Sequence, residues 1–304
     1  MMLTRPYLLQ ALSPLHAGTG QSVAAIDLPI ARMRATGMPF VPGSSIKGVL
    51  RQARRAAGNA EDGRSLAVFG PNRPESGPAG DDGRIEHAGA LIVGDARLLA
   101  LPVRSFRGTF ALVTSPLLLG LALRDLGPEH AGLRVPALPH GKRAARVGTR
   151  SINLHERHVY LEELDLPTEK ERDMDAWAQA IAAVLPDGGP PVAERLCAVD
   201  DDTMTFLWET ATQVDTRVSI DGARGVAIQG ALWTEESLPP ETLLIGLLAA
   251  HGSLRSEVAM SASDVLAHAA RGEGELLQFG GKATVGRGRC LLRPWPASRQ
   301  GGAR

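Results

Sequence analysis

A chain of 304 residues, 44% of them hydrophobic, has the length for a substantial core in one elaborated domain or two small ones. Its 33 basic residues balance 33 acidic ones, which argues against a free-standing nucleic-acid binder that works by net charge, and 4% aromatic content leaves few rings for a base-stacking surface. Two distant cysteines, Cys197 and Cys290, make neither a disulfide framework nor a zinc ligand set.

No charged segment followed by an apolar one opens the chain. The longest apolar stretch, 110–123, is interrupted by Thr114, Ser115 and Pro116 and is shorter than the roughly 20 residues of a membrane span. A cytoplasmic protein with reduced thiols and no membrane contact is expected.

In chain order, Tyr7 to Leu12 reads as an opening strand that stops at Ser13-Pro14. His16-Ala-Gly-Thr-Gly20 follows, and then a single acid, Asp27. From 28 to 60 there are six Lys or Arg and no Asp or Glu. One isolated carboxylate beside a basic, Gly/Ser-rich surface suits a site acting on a polyanion, because phosphates require cations and N–H donors. Pro42-Gly43-Ser44-Ser45 reads as a helix start, with Ile46, Val49, Leu50 and Ala53 on one face and Lys47, Arg51 and Arg54 on another.

Residues 70–89 form a Gly/Pro-rich insertion expected to be flexible. Strands are expected at Ala90–Val93 and Arg97–Pro102, and Ser115-Pro116 announces a helix through Leu126. The basic segment 130–160 has weak periodicity and is expected to be irregular. It holds His155, Glu156 and His158, a weak metal spacing with no third partner. A helix at Arg172–Leu185 is followed by Asp200-Asp201-Asp202, read as a solvated acidic loop. Alternation on both sides of a glycine turn, with Arg217, Val218, Ile220, Val226 and Ile228, predicts a β-hairpin over about 214–233.

Helices are expected at Pro240–His251 and Ser263–Ala270, and strands at Leu276–Phe279 and Arg289–Arg293. The loop between those last strands carries Gly280, Gly281, Lys282, Gly286, Arg287 and Gly288, glycines around two cations that permit close approach to a phosphate chain. Gly281-x4-Gly286 looks like a P-loop, but Arg287-Gly288 stands where Lys-Ser/Thr is needed, so a nucleotide triphosphatase is not expected.

Taken together, an ordered set of segments resembles one family along nearly the whole chain. The set is Pro14-Leu-His16-Ala-Gly-x-Gly20, Ile26-Asp27-Leu-Pro-Ile30, Pro42-Gly-Ser-Ser-Ile-Lys47-Gly-x-Leu-Arg51, Leu98-Leu-Ala-Leu-Pro-Val-Arg104-Ser, Gly108-Thr-Phe-Ala111, Gly230-Ala-Leu-Trp-Thr-Glu-Glu236 and Phe279-Gly-Gly-Lys-Ala-Thr-Val-Gly-Arg-Gly288. It is similar to the backbone subunits of type III-B (Cmr) CRISPR effector complexes, within the RAMP superfamily.

The resemblance implies a single α+β domain over 1–304 with an RNA-recognition-motif-like (ferredoxin-like) core, insertions and a protruding β-hairpin thumb. It implies a subunit repeated in a filament along a CRISPR guide RNA, with other Cmr subunits and single-stranded target RNA as partners. Carried onto this sequence, guide contacts fall on Ser44, Ser45, Lys47, Arg51 and the Gly280–Gly288 loop with Lys282 and Arg287. Arg217, Val218, Ile220, Val226 and Ile228 form the thumb. Asp27 would cut the target once per copy in a step dependent on a divalent metal ion, Mg²⁺ or Mn²⁺, which it would also ligate; His16 and Glu236 are possible accessories. The rival expectations are a structural subunit that holds guide RNA without cutting, and a stand-alone endoribonuclease that processes CRISPR transcripts.

Overall fold

The computed structural model describes residues 2–18, 26–56, 63–71, 87–139, 141–185 and 191–296. Most of the expected 70–89 insertion, residues 72–86, lies outside them. The first half of the chain contains β1 (Leu3–Ala11), β2 (Phe40–Val41), α1 (Gly43–Ala56), α2 (Gly63–Phe69), β3 (Leu91–Val93), β4 (Ala96–Arg104), β5 (Phe110–Thr114), α3 (Pro116–Leu126), β6 (Ala145–Val147), β7 (His158–Leu161) and β8 (Leu164–Lys170). The second half contains α4 (Arg172–Ala182), α5 (Val192–Arg195), β9 (Leu196–Val199), α6 (Asp201–Thr210), β10 (Gln213–Ile220), β11 (Ala227–Ser237), β12 (Leu243–Ala250), α7 (Ala262–Ala269), β13 (Glu275–Gln278) and β14 (Arg289–Pro294). The expected mixed α+β class is borne out.

Twelve strands make one mixed sheet in the order β13-β14-β1-β12-β4-β5-β9-β6-β8-β7, with β2 beside β4 and β3 beside β12. The hairpin β10–β11 stands apart as its own two-stranded sheet. Strand alternation sends Tyr7, Leu9, Leu244 and Leu248 to one face and Leu8, Leu243 and Ile245 to the other. The first face is covered by α1, α2, α6 and α7 through residues such as Ile46, Leu50, Trp208 and Leu266. The second is covered by α3 and α4 through Leu119, Ala122, Trp177 and Ile181. Each fully buried large side chain contributes about 1.5–3 kcal/mol, so both layers are needed to hold the sheet.

Three expectations are corrected. Pro240–His251 is not a helix: Leu243–Ala250 is a central strand, antiparallel to both β1 and β4. The acids at 200–202 are not a solvated loop, because Asp200 caps α6 through Thr203 N at 2.9 Å and Asp201 accepts from Leu117 N at the start of α3. The segment 130–160 is irregular for much of its length, yet it supplies β6 and the start of β7 to the sheet.

Both cysteines are buried, and burial pushes each thiol up to about 12, which makes them unreactive near neutral pH. No helix of the described residues is long and apolar enough to cross a membrane. The pairings Gln10↔Leu243 and Ala11↔Cys290 place the end of β1, the start of β12 and the start of β14 at one end of the sheet. The Asp27 segment, the hairpin and the glycine loop all leave the sheet there.

Candidate functional site

The five residues Trp233–Ser237 at the root of β11 hold this end together. Strand alternation divides them: Thr234 and Glu236 point one way, and Trp233, Glu235 and Ser237 the other. On the first side, Leu28 N donates to Thr234 O at 3.1 Å and Glu236 N to Leu28 O at 3.0 Å, a short parallel ladder that lays the Asp27 segment against β11. Asp27 Oδ2 accepts from Thr234 N at 2.8 Å and from Thr234 Oγ1 at 3.0 Å, while Thr234 Oγ1 accepts from Asp27 N at 3.1 Å. Asp27 is exposed. The Thr234 backbone N–H, and after it the Thr234 hydroxyl, hold its carboxyl below the usual aspartate range, so it is ionised at neutral pH.

Glu236 is buried and committed. Its carboxylate accepts from Ile30 N at 3.1 Å, Arg32 Nη2 at 2.6 Å and Thr212 Oγ1 at 2.8 Å. It braces the segment around Asp27 and does not face outward beside it. His16 is buried under the same strand, with Nδ1 at 2.7 Å from Glu236 O. A carbonyl accepts only, so Nδ1 donates and a neutral ring keeps its lone pair on Nε2, toward Gly18.

The glycine loop closes over His16. A Cβ on Gly280, at φ +69°, would lie 2.1 Å from His16 O, and Gly281 N donates to that same oxygen at 3.2 Å. Only glycine fits such an approach. Gly288 N donates to Pro14 O at 2.8 Å, fastening the far end of the loop.

The loop's cations face the hairpin. Lys282 pairs with Glu235, and its ammonium sits 6.0 Å from the Trp233 ring centre. Arg287 is buried, pairs with Asp215 and donates to Ser237 Oγ at 3.0 Å. Arg217 reaches the other oxygen of Glu235 at 3.5 Å. Burial opposes ionisation of Glu235 and Asp215, but hydrogen bonds from Lys282 and Trp233 to the one, and from Gln213 and Arg287 to the other, with the neighbouring cations, hold both below the usual carboxylate range. Lys282 has φ +69°, a left-handed backbone that costs a non-glycine residue about 1–3 kcal/mol and survives where its surroundings fix it.

The α1 residues form a separate group. Ser44 and Ser45 are exposed in the first turn, Lys47 Nζ donates to Leu91 O at 3.0 Å, and Arg51 donates to Phe69 O and Gly70 O. Burial, and then the charge of Arg51, hold the Lys47 ammonium below its usual value. Arg54, expected on the cationic face, is instead buried and paired with Glu275. The hairpin residues Val218, Ile220, Val226 and Ile228 are exposed, as are Val214 and Leu232, so the hairpin carries unburied aliphatic surface.

Among the described residues no group of three or more His, Cys, Asp or Glu could hold a metal ion. His158 is hydrogen-bonded to Asp165 at 2.5 Å. One exposed, ionised carboxylate still fits Mg²⁺ or Mn²⁺ of the kind held mainly by substrate phosphates and water. Of the residues expected from sequence, the structure brings Asp27, His16, Glu236 and the glycine loop together; Thr234, Glu235 and Asp215, which hold them there, were not singled out, although the adjacent acids of Trp233-Thr-Glu-Glu236 were a usable signal.

Comparison with known proteins follows the same lines. The model of the RAMP superfamily matches residues 8–291. The chain is 31% identical over 287 residues to the CRISPR system Cmr endoribonuclease Cmr4 of Pyrococcus furiosus, covering 92% of each protein. The crystal structure of oligomeric Cmr4 from Pyrococcus furiosus is similar at TM-score 0.68 and 26% identity, over 96% of this chain and 97% of that one. A chain in the cryo-EM structure of type III-B Cmr-beta bound to cognate target RNA shares the fold at TM-score 0.71 and 21% identity, over 96% and 97%.

Proposed function

The chain belongs to the RAMP superfamily, and from that premise we propose that it is a Cmr4-type, guide-RNA-binding filament subunit of a type III-B CRISPR ribonucleoprotein that cuts bound single-stranded target RNA at regular intervals. Its partners are the guide, the target, further copies of itself and the other Cmr subunits. The observation that carries the cutting is Asp27: an ionised, exposed carboxylate fixed on the root of a hairpin whose aliphatic side chains are uncovered.

In this reading the hairpin enters the guide–target duplex and displaces a nucleotide, with Val218, Ile220, Val226 and Ile228 as the wedge. Asp27 then orients or deprotonates the 2′-hydroxyl beside the distorted phosphate. The 2′-oxygen bonds to phosphorus, the bond from phosphorus to the 5′-oxygen breaks, and that oxygen takes up a proton; a cyclic phosphate and a 5′-hydroxyl result. Alignment supplies much of the acceleration, since one carboxylate is a sparse apparatus. A divalent ion held by Asp27 and the RNA would neutralise charge developing on the phosphate. His16, buried under the same strand, is a candidate to assist through Nε2, while Glu236 acts as a brace.

The guide backbone is held by Ser44, Ser45, Lys47 and Arg51 on α1 and lies against the Gly280–Gly288 loop, whose glycines permit close approach. The test is cleavage of end-labelled target RNA by the reconstituted complex with Mg²⁺, wild type against Asp27→Asn. Evenly spaced cuts that vanish in the variant, with RNA binding retained, are expected. Unchanged cutting would move catalysis away from Asp27, and no cutting by either protein would leave a subunit that only holds guide RNA.

A further inference from the structure

We propose that the Lys282–Glu235 and Arg287–Asp215 ion pairs form a clamp that fixes the hairpin stem on the glycine loop, making Lys282 and Glu235 positioning residues that decide which target phosphate Asp27 faces. The proposal rests on the cutting function above and adds to it the element that sets the register of the cut.

Three observations carry it. Asp215 and Glu235 are directly opposite each other across the two hairpin strands, an arrangement of like charges that destabilises a hairpin on its own. Two of the cations that neutralise them, Lys282 and Arg287, come from outside the hairpin, and Arg217, on β10 itself, supplies only one charge against the two acids. The stem therefore lacks a balanced face until the loop docks.

Next, the two faces of the same five residues serve two parts of the site. Trp233, Glu235 and Ser237 meet the loop cations, while Thr234 and Glu236 hold the Asp27 segment. A shift of the stem on the loop would carry Asp27 with it. Finally, a loop that already has glycine at 280, 281, 286 and 288 has lysine at 282, where the backbone is left-handed. Glycine would suit that backbone better, so the residue is there for its side chain, and that side chain reaches Glu235.

The clamp distinguishes Lys282 from a phosphate ligand, because its charge is already compensated. The experiment uses the reconstituted complex carrying Lys282→Gly or Glu235→Gln. Lys282→Gly removes the pair while easing the backbone, which guards against misfolding. Both variants are expected to spread each cut over neighbouring phosphates and to slow cutting several-fold, with guide affinity within twofold of wild type. Both should also raise amide hydrogen exchange across 213–237, and Lys282→Arg should restore the single cut position.

Wild-type cut positions and wild-type exchange in both variants would overturn the clamp. So would a loss confined to Lys282→Gly that follows weakened guide binding, since Lys282 would then be gripping phosphate. If the wild-type complex makes no regular cuts, the cutting function fails, and the exchange measurement alone decides whether the clamp exists.

Discussion

Asp27 and Thr234 are joined by hydrogen bonds that cross 207 positions of sequence, and the hydroxyl of Thr234 both donates to the carboxylate and accepts from the Asp27 amide. The carboxyl is depressed below its usual range, so it stays charged as pH falls toward the ordinary aspartate value and contributes no acid limb near neutrality. Thr234→Val deletes both hydroxyl hydrogen bonds, of which the one to the charged carboxylate is worth about 1.5 kcal/mol or roughly tenfold in rate. Single-turnover cutting by the reconstituted complex should fall by about that factor in Thr234→Val and stay near wild type in Thr234→Ser; equal rates in all three would show that the hydroxyl does not orient Asp27. Asp27 stands out in the sequence as a lone acid beside a basic run, and the role expected of it comes from the family resemblance. Thr234 does not stand out, because nothing local distinguishes a strand threonine that meets a loop so far away.

Elements were legible where a local signal decided them. Ser115-Pro116 caps α3 as expected, with Ser115 accepting from Leu118 N. The hairpin lies at 213–237, close to its expected span. Leu243–Ala250 was misread because a strand buried on both faces shows no alternation, and leucine and alanine favour helices. What makes it a strand is its place between β1 and β4, which no local window contains. Two glycines test that packing argument. A Cβ on Gly246 would lie 2.3 Å from the Tyr7 hydroxyl oxygen, and Tyr7 is fully buried; Gly246→Ala should cost about 1–3 kcal/mol in chemical denaturation. A Cβ on Gly48, within α1, would meet nothing within 4 Å, so Gly48→Ala should gain about 0.5–1 kcal/mol. If both changes are neutral, β12 is not packed against β1 in this register.

At the scale of the molecule, zero formal charge has to be reconciled with binding a polyanion. The stretches 28–60 and 276–304 carry Lys and Arg with no Asp or Glu, but folding pairs many of their cations with acids that are distant in sequence. Arg32 meets Glu236, Arg54 meets Glu275, Lys282 meets Glu235 and Arg287 meets Asp215. A cation already neutralised has few counterions to release when a phosphate arrives. Lys47 differs, because its partner is the neutral carbonyl of Leu91 and its charge is retained. For single strands, each phosphate neutralised contributes about −0.7 to the slope of log K against log salt. Guide-RNA binding measured across a salt series should therefore lose about 0.7 of that slope in Lys47→Met and keep the wild-type slope in Lys282→Met. Equal losses in both would mean that the hairpin acids release Lys282 when guide RNA binds, and the stem would then be free to move on the loop in the loaded complex.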